Sequence, residues 1–107
     1  MPIVLFRSRL KAGADMAALQ AVGERMDALV REMPGFMAYR DYAAADGELL
    51  TVVEFRDDAS LQAWRDHPEH KAAQQRGRRE FFSEYRIQVC SAQREYSFPF
   101  AEPLERI

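Results

Sequence analysis

The sequence predicts a single α+β domain built on one antiparallel sheet, and three observations point there. Short runs rich in β-branched and aromatic residues alternate with one long segment of helical periodicity and one interrupted helical segment. A chain of 107 residues suits one hydrophobic core and is too short for two. The strand segments carry apolar side chains on both faces, so the sheet they form must be covered on both.

The elements follow in order. Ile3–Leu10 reads as a strand, with Ile3 and Leu5 pointing one way and Val4 and Phe6 the other. Lys11–Asp15 is a polar connection containing Gly13, and Asp15 stands where a helix cap belongs. Met16, Leu19, Val22, Met26, Leu29 and Met33 recur at spacings of three and four, one face of an amphipathic helix that Pro34–Gly35 ends. Phe36–Ala45 alternates as a strand, Asp46–Gly47 is a hairpin turn, and Glu48–Phe55 returns antiparallel. In this third strand Leu49 and Val53 oppose Leu50 and Val52. Asp57 or Asp58 caps a short helix bearing Leu61 and Trp64. Pro68 suits the first turn of a further helix running to about Phe82. The last strand is expected from Tyr85 to about Ser97. The domain spans residues 1–98, and 99–107 form a C-terminal tail.

The order βαββ(αα)β is that of a ferredoxin-like split βαβ fold. Its helices suffice for one face of the sheet, so the other face needs a partner, and a second copy with the same unmet need is the simplest one. A sheet-to-sheet homodimer is therefore expected. Tyr96, Phe98 and Phe100 are spaced two apart, and Pro99 limits ladder pairing. This aromatic extension packs either across the partner or over its own subunit.

Composition narrows the function. Hydrophobic residues make up 48% of the chain, enough for a folded core. Fifteen basic against 17 acidic residues give a net charge of −2, without the basic footprint of a nucleic-acid or anionic-membrane binder. The longest apolar runs, such as Ile3–Phe6, fall far short of the ~20 residues a spanning helix needs. Arg7 and Arg9 follow that run directly, which does not read as a signal peptide. The single cysteine, Cys90, fits a reducing cytoplasm and reads as a small buried hydrophobe inside a strand. No phosphate-cradling loop, nucleotide fingerprint, flavin or nicotinamide signature, or Ser-His-Asp arrangement is visible.

The candidate residues gather in the second half. Trp64, three residues after Leu61, lies on the face that points at the sheet, as core filling or as the wall of a binding site. His67 and His70 form an H-x-x-H pair, but zinc needs three or four ligands and the chain holds only two histidines, so no metal site is expected. His70 is either a helix-surface histidine in a mixed charge environment or a candidate proton acceptor, since an unperturbed imidazole titrates near ~6.5. Tyr39, Arg40, Tyr42, Glu54 and Arg86 are polar residues on strands. Glu54 and Arg86, in a sheet apolar on both sides, are paired, at an edge or facing a cavity, with an internal ion pair the plain reading for both. Arg76, Arg78 and Arg79 with Glu80 and Glu84 read as a solvated helix face.

The stretch from Trp64 to Cys90 sets a Trp on a short helix, breaks it at Pro68, restarts a helix carrying His70 and Gln74, and passes into a strand. That order resembles the antibiotic biosynthesis monooxygenase family of small α+β barrel proteins, and the resemblance extends from the first strand to about Ser97. It implies a dimeric α+β barrel with the helices outside and a pocket between helices and sheet. It also implies a cofactor-independent oxygenase, in which a quinol- or anthrone-type substrate is deprotonated and reacts directly with dioxygen. On that reading His70 is base or relay, Trp64 is wall and donor, and Ser8 and Gln74 are polar lining, with Glu54 and Arg86 as further substrate-binding candidates. The family's haem-degrading branch places an Asn near the end of the first strand and an iron-ligating His ten residues after the Trp. Here those positions are Ser8 and Gln74, and Gln is a poor haem ligand. A non-catalytic dimer holding a small apolar ligand, or a haem-binding protein, are the alternative readings.

Overall fold

The computed structural model describes residues 1–98, so the tail expected at 99–107, with Phe100, lies outside the described residues. Four strands and three helices run in the order β1 (Pro2–Leu10), α1 (Met16–Arg31), β2 (Phe36–Ala43), β3 (Leu49–Phe55), α2 (Asp58–Asp66), α3 (Pro68–Arg76) and β4 (Phe82–Ser91). A single π-helical turn, Gly77–Phe81, joins α3 to β4. The strands form one antiparallel sheet in the order β2-β3-β1-β4, the ferredoxin-like arrangement the sequence predicts.

Local chemistry sets the boundaries. The Asp15 carboxylate accepts the Ala18 N–H at 3.0 Å and starts α1. Asp57, one of the two candidate caps, accepts the Ser60 N–H at 2.8 Å and starts α2. His67 caps α3 through its own ring, Nδ1 accepting the Glu69 N–H at 3.1 Å, and Pro68 occupies the first turn. Gly47 closes the β2–β3 hairpin at φ 94°, a conformation that favours glycine.

The register fixes what each face carries. Val4, Phe6 and Ser8 of β1 stand opposite Val53, Thr51 and Leu49 of β3 and share the face beneath the helices. There Val30, Val53, Phe55, Leu61 and Trp64 form the buried core. Ile3, Leu5 and Val52 point to the other face, which no helix covers and where they are only half-buried.

Two expectations need correction. The last strand spans Phe82–Ser91 rather than Tyr85 to about Ser97. The Lys11 N–H donates to the Phe81 carbonyl at 2.8 Å and draws the chain into the sheet early, where Phe82 stands opposite Leu10. Tyr96 and Phe98 consequently lie beyond any strand and are exposed. Cys90 is exposed rather than buried, because β4 is an outer strand and Cys90 sits opposite Ile3 on the uncovered face.

Candidate functional site

Between the helices and the sheet lies a cavity of about 1010 Å³, at the upper end of the range small-molecule sites occupy. Its floor is the helix-side face of β1 and β3, and α1, α2, α3 and the π-helical turn form its walls. Helix α1 contributes Leu19, Val22 and Met26, all half-buried. Exposed ion pairing ties two of these walls together: Arg25 of α1 donates to Glu69 of α3 at 2.9 Å.

Trp64 and His70 form the chemically distinctive wall. Trp64 is 5% exposed, held down by Leu61 one turn earlier. The break at His67–Pro68 turns α3 back so that the His70 ring stacks on the indole, centroids 4.1 Å apart and planes within 16°. The His70 Nδ1 lies 3.1 Å from the Trp64 carbonyl oxygen. A carbonyl only accepts, so this bond requires the proton on Nδ1 and leaves Nε2 with its lone pair. Burial pushes the His70 pKa below its ordinary value of 6.5, opposed by the bond to Trp64 and reinforced by His67. The imidazole is therefore a neutral base at pH 7, in a defined tautomer.

Three donors lie on residues of the cavity lining. The Trp64 indole N–H and the hydroxyls of Ser8 and Tyr39 have no hydrogen-bond partner among the described residues, and none of them is fully buried. Ser8 also lines the neighbouring cleft. The Tyr39 pKa is pushed up to about 12, by burial first and then by Asp41 and Asp27, so this hydroxyl keeps its proton.

The structure brings together Trp64, His70, Ser8 and Gln74, all lining the one cavity. It does not bring Glu54 or Arg86 there. Glu54 stands between Ile3 and Ala38 on the uncovered face. Arg86 stands opposite Arg7 on that same face and lines a separate cleft of about 170 Å³. Neither forms an ion pair among the described residues. His67 is committed to its capping bond, and among the described residues no three His, Cys, Asp or Glu side chains converge on a point. Tyr39 is the cavity residue that sequence reasoning noticed without placing. Its alternation with Asp41 along β2 was legible, but which parity faced the helices was not.

A ferredoxin-like α+β sheet with a cavity under its helices defines the class of fold. Residues 1–76 match the family model for antibiotic biosynthesis monooxygenases, and the chain belongs to that family. The uncharacterised protein YqjZ of Bacillus subtilis (strain 168) is 33% identical over 75 residues, which are 70% of this chain and 66% of YqjZ, so the match covers just under two thirds of that relative. Rv0793 from Mycobacterium tuberculosis has a similar structure, with a TM-score of 0.78 at 24% identity over 91% of this chain and 100% of its own. SnoaB from Streptomyces nogalater, a cofactor-independent oxygenase, gives a TM-score of 0.73 at 14% identity over 88% of this chain and 94% of its own. These two structural likenesses are ones of fold.

Proposed function

We propose that the chain is a cofactor-independent monooxygenase of a small, electron-rich aromatic metabolite of quinol or anthrone type, using dioxygen as co-substrate and working as a homodimer. The observation that carries this reading is the stacked Trp64–His70 pair, whose Nδ1 contact leaves Nε2 unprotonated on a residue lining a cavity large enough for fused rings. Family membership and the cofactor-independent oxygenase SnoaB among the similar folds support it. So does the uncovered apolar sheet face, which a second copy would bury. The lone cysteine fits a cytoplasmic setting.

In this mechanism His70 Nε2 takes a proton from the activated C–H or O–H of the substrate. The indole N–H of Trp64 and the protonated Tyr39 hydroxyl donate to the oxygen on which the negative charge collects. The anion then gives its electrons to dioxygen. For an anthrone the ring CH₂ becomes C=O, one oxygen atom enters the substrate and the other leaves as water, so the substrate supplies all four electrons. The apolar walls desolvate the anion and raise its reactivity.

Oxygen uptake with dithranol as the anthrone tests this directly. Trp64→Phe and His70→Ala are each expected to lower kcat/KM at least about tenfold, within the range for losing a positioned base or an anion-stabilising donor. Rates equal to the unaltered protein in both variants would remove the assignment.

A further inference from the structure

Gly23 has no structural reason to be glycine. It sits in the interior of α1 with ordinary negative φ, and a Cβ built there meets no atom within 4 Å. The other four glycines differ. Gly13, Gly35 and Gly47 have positive φ, and a Cβ on Gly77 would come within 2.7 Å of the Phe82 ring. Glycine in a helix interior weakens the helix relative to alanine, so the fold alone would favour replacing it. What sets Gly23 apart is its position in the cavity wall. Leu19 lies one turn before it, Met26 one turn after it and Val22 beside it, all lining the cavity. The missing side chain leaves a notch at the centre of that apolar stripe, with bare helix backbone at its base.

We infer that Gly23 is a specificity-determining residue: its missing side chain lets a flat fused-ring guest lie against α1, and a side chain there would weaken the larger guests before the smaller ones. The inference deepens the reading of this cavity as the substrate site and rests on it. The notch admits ring area and contributes no polar group, so the ligand class it selects is defined by size and flatness. Polarity is read elsewhere, by Trp64, Tyr39 and His70.

The test uses the full chain and its single tryptophan, Trp64, whose emission reports a guest against the indole. Titrations with 1,8-dihydroxyanthraquinone and with 1-naphthol are compared for the unaltered protein, Gly23→Ala and Gly23→Leu. Gly23→Leu should weaken anthraquinone binding at least tenfold and leave naphthol binding within twofold. Gly23→Ala should show a smaller loss of the same selectivity while melting at a higher temperature, which keeps the test informative should the leucine variant fold poorly. Equal affinities for the anthraquinone across all three proteins would overturn the role of Gly23, as would parallel losses for both probes. If the unaltered protein quenches with neither probe, the cavity is not the guest site, and the reading beneath this inference falls with it.

Discussion

His70 owes its character to its surroundings. The Trp64 carbonyl fixes its tautomer, the indole covers one ring face, and burial holds its pKa below 6.5. A histidine that is harder to protonate when folded than when unfolded contributes fully above pH 6.5, and that contribution shrinks as the pH falls toward the lowered value. Melting temperature should therefore fall between pH 7 and pH 5, and His70→Gln should flatten that part of the curve. Asp46, Glu69 and Glu80, held below the ordinary carboxylate range chiefly by their backbone and arginine partners, act only at lower pH. The acid limb of oxygen uptake should likewise lie below pH 6.5 and disappear in the glutamine variant; an unchanged limb would point to another base. At this scale the sequence showed Trp64 through its spacing from Leu61. The tautomer of His70 was invisible, because it depends on how the chain turns at Pro68. The face on which Glu54 and Arg86 lie was not legible for a related reason. With apolar residues at both parities of β1 and β3, alternation alone could not say which face met the helices.

Among the elements, the junction between α1 and β2 is the most constrained. Gly35 adopts φ 80°, and a Cβ there would sit 2.1 Å from the Ser60 hydroxyl oxygen. Its carbonyl accepts the Arg56 N–H at 2.7 Å, which ties the start of β2 to the end of β3. Gly35→Ala should cost about 1–3 kcal/mol through backbone strain alone, with the Ser60 clash in addition. A fall in melting temperature of at least about 5 °C is expected for a domain of this size; a fall below 1 °C would show that the junction relaxes freely. Pro34–Gly35, the Asp46–Gly47 hairpin and the His67–Pro68 break were all legible because each rests on one residue's backbone chemistry. The π-helical turn and the early start of β4 were not. Both follow from the Lys11–Phe81 hydrogen bond, which joins residues 70 positions apart.

For the whole molecule, three helices cover one sheet face and leave the apolar residues of the other only half-buried, the face that the proposed homodimer would hide. Ile3, Leu5 and Val52 stand at its centre, ringed by Arg7, Arg40, Glu54 and Arg86. On that proposal the unaltered chain should sediment as a dimer at micromolar concentration and Leu5→Arg as a monomer; a monomeric unaltered chain would refute the pairing. The two-sided apolar pattern made this need legible in the sequence, whereas the size of the cavity depends on how far α1 stands from the sheet, which no local pattern encodes. In such a dimer the two sheets would lie back to back, with each cavity on the outer side of its own sheet. Two stacked sheets, about 10 Å apart, would then separate the cavities. If the packed sheets behave as one rigid layer, the two cavities should fill independently, with hyperbolic saturation and a Hill coefficient of one; a coefficient above one would show that the sheets couple them.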